Sequence, residues 1–114
     1  MSQLPRVTHA FLDDAKVSDY LLNPNHSPQA AGKEKFFTAH GFSRAAVDQL
    51  KRALLDHARR NQISGALTTA FGEKYEVSCQ LTTPDGRNPC VISVWIVEPP
   101  DLNPRFVTAY PNPP

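Results

Sequence analysis

The sequence predicts an α+β fold, with N-terminal helices packed on one face of a C-terminal four-stranded antiparallel sheet. Three observations carry that expectation. Apolar residues recur at helical spacing in the first half, most clearly Val47, Leu50, Leu54 and Ala58. After Ser64-Gly65 the pattern changes to short runs separated by turn signals. Residues 74–97 read as a β-hairpin around Pro84-Asp85-Gly86-Arg87. There a Pro presets φ, an Asp can bond its own backbone and a Gly tolerates positive φ. Helices first and a strand meander afterwards define an α+β order. At 114 residues the chain is expected to form a single domain, 1–114.

In chain order, Asp13-Asp14 can cap a first helix over 15–22, with Val17, Tyr20 and Leu21 at helical spacing. Asn23-Pro24-Asn25 ends it, because the residue before a proline is pushed out of the α region. Ser27 before Pro28 starts a second helix, 28–40, that turns Phe36, Phe37 and Ala39 toward the core and stops at Gly41. Ser43 opens the longest helix, 44–61, whose other side carries Lys51, Arg52, Arg59 and Arg60. The expected strands are 66–71, 74–82, 90–98 and 105–110, with Gly72-Glu73 as a tight turn. Folding the hairpin at Asp85-Gly86 sets Leu81 against Cys90, Cys79 against Ile92, Val77 against Val94 and Tyr75 against Ile96 on one apolar face. Trp95 then falls on the other, polar face with Glu76 and Ser78, which would be left as a groove. If Val97 pairs with Phe106, Thr108 lies beside Trp95 and Tyr110 beside Ser93, a register that a one-residue slip would overturn.

Composition bounds the function. Twelve Lys and Arg against eleven Asp and Glu give a net charge of +1, which argues against a general nucleic-acid coating protein and leaves room for a local basic patch. Cys79 and Cys90 lack CxxC spacing and read as buried free thiols. The sequence has no signal peptide, lipidation motif or membrane-spanning run; any export instructions would sit elsewhere, for instance on a larger parent chain. There is no P-loop, GxSxG or GxGxxG motif, and Gly32-Lys33 lacks the flanks of a Walker motif. Asp13-Asp14 have no partner at metal-ligand spacing, so neither metal nor cofactor is expected.

What remains suits metal-free phosphoryl chemistry on RNA. That chemistry needs a base for the 2′-OH, an acid for the leaving 5′-oxygen and cations for the equatorial oxygens. His57, His26, Lys33, Arg87, Arg105, Thr108 and Tyr110 are the right residue types. Each also has a purely structural reading. His57 borders the apolar stripe and can be a core-edge histidine. Lys33 can snorkel beside Phe36-Phe37. Arg87 can bond the carbonyls of its own turn, and Arg105 can pair with Glu98 or Asp101. Trp95 can be packing rather than a base-stacking platform, and Thr108 and Tyr110 suit any strand.

Asp19-Tyr20-Leu21-Leu22-Asn23-Pro24, His26, Gly32-Lys33 with Phe36-Phe37, His57-Ala58, Thr83-Pro84-Asp85-Gly86-Arg87, Val94-Trp95-Ile96 and Pro104-Arg105 with residues 107–111 together resemble a small bacterial family described as a domain of unknown function. The resemblance spans nearly the whole chain. That family is similar to toxin domains found beside an antitoxin gene or at the C-terminus of large secreted polymorphic toxins. Its helix-then-sheet order resembles the barnase, EndoU, colicin and RelE group of metal-independent ribonucleases. The resemblance implies an RNase toxin, with RNA (tRNA among the candidates) as substrate and a cognate antitoxin or immunity protein as partner. It implies action in the cytoplasm, including that of a target cell reached as part of a larger secreted toxin. On that reading Lys33 and Arg105 hold phosphate, His57 transfers the proton, Thr108 and Tyr110 orient the scissile group and Trp95 stacks, with Arg87 and His26 as further substrate contacts. The rival expectation is a non-catalytic protein-binding module, immunity or accessory, using the same open face.

Overall fold

A computed structural model of the chain describes residues 3–23 and 28–112. A short 3-10 turn (Val7–His9) and a π-helical segment (Lys16–Leu21) precede α1 (Pro28–Ala39). A 3-10 turn at Arg44–Ala46 leads into α2 (Val47–Arg60). Four strands follow, β1 (Gln62–Thr69), β2 (Gly72–Gln80), β3 (Cys90–Val97) and β4 (Arg105–Pro111), paired antiparallel in sequence order. The architecture is the expected α+β class, helices first and one meander sheet after them. The expectations at 24–27, including His26 and the Ser27 start signal, lie outside the described residues.

Helix α2 is amphipathic as its sequence dictates. Leu50, Leu54 and Ala58 are fully buried, and His57 joins them on that stripe. They pack on one face of the sheet against Val77, Val91, Trp95, Phe106 and Ala109. Helix α1 contributes Phe37, which is buried, whereas Ala39, expected inward, is exposed. Gly41 ends α1 at φ +101, and a Cβ there would come within 2.9 Å of Pro84. The glycine therefore serves both the left-handed backbone and the close seating of the β2–β3 loop on the end of α1. The Asp85 amide donates to the His40 carbonyl at 3.3 Å, closing that contact.

The β2–β3 hairpin corrects the expected register by one residue. Cys79 pairs with Val91, Val77 with Ser93 and Tyr75 with Trp95. The cause is the loop. Its turn is Thr83-Pro84-Asp85-Gly86, closed by the Gly86 amide on the Thr83 carbonyl at 3.0 Å, and Asn88 then takes a left-handed φ of 48°. The strands therefore pair about Asp85 itself instead of about the Asp85-Gly86 bond, and that one-residue shift in pairing turns β3 over, because side chains alternate faces. Leu81 and Thr83 tuck into the structure instead of extending the strand. Trp95 is consequently on the helix-covered face and fully buried, so it cannot stack on a base. Cys79 and Cys90 are not free thiols. They are joined across the hairpin with Cα atoms 4.2 Å apart, and Cys79 is exposed.

Strand β4 compensates for that inversion. It pairs Trp95 with Phe106 but Val94 with Thr108 and Ile92 with Tyr110, with an irregularity at Val94/Trp95. The neighbours expected of Thr108 and Tyr110 are thus wrong by one residue, yet both side chains still share the face of Glu76. On the far edge, β1 pairs with β2 alone among the described residues, and Leu67 within it and Phe71 just after it are 62% and 75% exposed.

Candidate active site

Polar side chains gather where the π-helical segment and α1 meet the outer face of β4. Tyr20 is carried by the π-helical segment, Lys33 by α1 and Thr108 by β4. The Lys33 ammonium donates to Tyr20 Oη at 2.5 Å and to Thr108 Oγ1 at 3.0 Å, and the two hydroxyls lie 3.1 Å apart. Lys33 Nζ stands 4.8 Å from the Tyr20 ring centroid and Lys16 Nζ 5.3 Å from it. Burial pushes the Tyr20 phenol up. Hydrogen bonds from Lys33 and Thr108 and the charges of Lys33 and Lys16 outweigh it and hold the phenol below its usual range.

Tyr110 lies two residues further along the same strand face. Its hydroxyl donates to Glu76 Oε2 at 3.2 Å. Burial and then the Glu76 carboxylate hold this phenol above its usual range, opposite in direction to Tyr20. Glu76 reaches that position over Gly65, where a Cβ would meet its Oε1 at 2.8 Å. Two grooves flank this row and share Thr108 alone. One, of about 550 Å³, is lined by Lys16, Tyr20 and Val107; the other, of about 440 Å³, by Lys74, Glu76, Val94 and Tyr110. The grooves bring Lys16, Lys74, both phenols and the Thr108 hydroxyl to open space beside the carboxylates of Asp13, Asp19 and Glu76, with Lys33 bonded to Tyr20 and Thr108 at their junction. Such an arrangement can hold an anionic ester and move protons beside it.

The remaining sequence-derived candidates lie elsewhere. His57 is 1% exposed and sits under α2 on the opposite face. Its Nε2 is 2.9 Å from the carbonyls of Cys79 and Val91, its Nδ1 is 2.9 Å from Ser93 Oγ, and Trp95 Nε1 donates to the same Oγ at 2.8 Å. These partners require the Nε2–H tautomer, with Ser93 donating to Nδ1, and leave no ring nitrogen for a substrate. Burial holds the imidazole below its usual range. Arg87 bonds Asp85 Oδ2 at 2.6 Å and the Ala39 carbonyl at 2.6 Å, stapling the hairpin loop to α1. Thr83 and then Arg87 hold the Asp85 carboxylate down to about 2. Arg105 is paired with Glu98 at 2.7 Å, at the opposite end of β4 from Tyr110. Sequence reasoning missed Tyr20 as a site residue, since its spacing with Val17 and Leu21 reads as core, and missed Glu76, which was placed only as polar-face decoration. The signal for Tyr20 was its place in the Asp19–Pro24 run ahead of Gly32-Lys33.

The chain is thus an α+β protein whose single sheet is covered by α2 on one face and carries a Lys-Tyr-Thr cluster at the margin of the other. It belongs to the family described as Domain of unknown function (DUF6883), which it matches over residues 3–113. No curated protein matches its sequence. Its fold is similar to a chain of a contact-dependent growth inhibition toxin–immunity protein complex from Klebsiella pneumoniae 342. That likeness has a TM-score of 0.74 and 14% identity, over 96% of this chain and 98% of that one. At such identity it establishes the fold.

Proposed function

We propose that this chain is a toxin-type endoribonuclease that cleaves RNA with its own side chains and is neutralised by a cognate immunity or antitoxin protein. The observation that carries the reading is the convergence of Lys33 Nζ, Tyr20 Oη and Thr108 Oγ1 within 3.1 Å of one another beside two grooves. A ribose 2′-OH attacks its neighbouring phosphate once the hydroxyl is deprotonated and the phosphoryl oxygens are neutralised. Lys33 supplies the charge, and Thr108 fixes the ammonium and a phosphoryl oxygen relative to each other. DNA lacks the 2′-OH, so RNA is the substrate this chemistry selects. The fold shared with one chain of a toxin–immunity complex supports the biological setting, in which the domain acts in a target cell's cytoplasm. Structured RNA such as tRNA suits a small cleft on a nearly neutral protein better than long duplex RNA, which rewards a broad basic surface.

The test is incubation of purified protein with total RNA in EDTA, beside induced expression in growing cells. Discrete RNA fragments and growth arrest, both abolished by Lys33→Ala, are expected. Intact RNA and unimpaired growth would reject the reading.

One feature favours a second reading, that of an immunity-type binding module. Strand β1 has an outer edge with no partner among the described residues, no charge or proline along it, and exposed Leu67 and Phe71 nearby. Such edges invite a strand from another protein. A chain that protects cells from a co-expressed neighbouring toxin, without harming them alone, would establish this alternative.

A further inference from the structure

Any 2′-OH attack on phosphate needs two separate proton transfers, and His57 supplies neither. The remaining titratable side chains around Thr108 narrow the choice. Tyr20 faces Lys33 from α1, Lys16 from its own segment and Thr108 from β4, with Asp13 and Asp19 lining the same groove. Tyr110 faces Glu76 from β2, with Lys74 further along the second groove. The two phenols therefore approach Thr108 through different grooves, which meet only at that residue. Thr108 and Tyr110 are two positions apart on one strand, about 7 Å between Cα atoms. An in-line displacement needs such an arrangement, with base and acid on either side of the phosphorus.

We infer that Tyr20 and Tyr110 divide the two proton transfers, Tyr20 as the base that activates the 2′-OH and Tyr110 as the acid that protonates the leaving 5′-oxygen. This inference rests on the ribonuclease reading above. The Tyr20 phenolate takes the 2′-OH proton as O2′ bonds to phosphorus. The P–O5′ bond breaks, and O5′ takes the Tyr110 proton. The products are a 2′,3′-cyclic phosphate and a 5′-hydroxyl, and solvent returns the proton from Tyr20 to Tyr110. The opposite environments agree with this division, since cations around Tyr20 favour its phenolate while Glu76 keeps Tyr110 protonated.

The experiment uses a short RNA containing the site cut by the wild-type protein, made with either oxygen or sulfur at the bridging 5′ position. A thiolate leaves without being protonated, so sulfur makes the acid dispensable. Tyr110→Phe is expected to lose at least about 100-fold on the oxygen substrate. With sulfur it returns to within about tenfold of wild type. Tyr20→Phe is expected to lose a similar factor on both substrates, and the pH-dependent rise in rate below Tyr20's titration should flatten. Melting curves of both variants, matched to wild type, separate lost chemistry from lost folding; Tyr20→Trp and Glu76→Gln stand in for a variant that fails that control. Failure of sulfur to rescue Tyr110→Phe, rescue of Tyr20→Phe, or full activity of either on oxygen would overturn the assignment while wild-type cleavage leaves the ribonuclease reading standing. A wild type that cuts neither substrate nor total RNA would overturn both.

Discussion

On the helix-covered face of the sheet, His57, Ser93 and Trp95 form a chain in which every donor meets an acceptor and no member is more than 1% exposed. On the opposite margin, Lys33, Tyr20 and Thr108 are half-buried, bonded to one another and bordered by open grooves. Both sets are polar, and both join helical segments to strands. The difference is what burial leaves over. A network closed on itself specifies how α2 sits on β2 and β3, since a slipped helix would strand several buried groups. A network that ends at solvent can exchange its partners for a ligand. A titratable residue is thus no guide to a site until its remaining hydrogen-bonding capacity is counted.

That contrast breaks most visibly at Lys33. Lys33→Ala is expected to lower RNA cleavage about 100- to 1,000-fold, as removal of a preorganised charged donor does. Its urea midpoint should correspond to a loss of only about 1 kcal/mol, because the hydrogen bonds involved are partly solvated. The reverse is expected of His57→Ala, which takes the acceptor from the Ser93 hydroxyl and the donor from the Cys79 and Val91 carbonyls and leaves a void. Its unfolding free energy should fall by about 3 kcal/mol, with the cleavage rate per folded molecule within about twofold of wild type.

The acid response sharpens the same comparison. Burial holds His57 below the usual histidine range, so the unfolded chain binds this proton more readily than the folded one. Its contribution is fully present above about pH 6.5 and is lost as pH falls from there toward the lower folded value. One such group gives a slope of at most about 1.4 kcal/mol per pH unit. Urea midpoints between pH 7.5 and pH 5 should drop in the wild type and drop less in His57→Ala. The smallest effect belongs to Arg105→Ala. Its pair with Glu98 is substantially exposed, and loss of it should cost under about 1 kcal/mol in urea denaturation and leave cleavage nearly unchanged.

The layers of the fold were readable because the signals are local. The stripe Leu50, Leu54 and Ala58 and the stop at Gly41 depend on neighbours a few residues away. The register of β3 was not readable in the same way. Pro84, Asp85 and Gly86 announce a turn, but whether the strands pair about Asp85 itself or about the Asp85-Gly86 bond depends on Leu81 and Thr83 finding space in the core and on Asp85 reaching the end of α1. That single step moved Trp95 from the open face to the buried one. It also explains why Val91 and Ser93, not Ile92 and Val94, lie on the side of the sheet that meets His57. Thr108 and Tyr110 were placed on the correct face through two register errors that cancel. Tyr20 stayed hidden because its partners come from 13 and 88 residues away, a convergence that no spacing rule encodes.

Thr108→Val offers the most direct test, since it keeps the side-chain shape and removes only the hydroxyl at which Lys33 and Tyr20 meet. Initial cleavage rate and urea midpoint should be read on the same sample. A rate at least about tenfold lower, with the midpoint within about 1 kcal/mol of wild type, is the expected pair. Wild-type cleavage by this variant, or a midpoint that collapses together with the rate, would contradict the assignment of the open margin to chemistry and the buried face to folding.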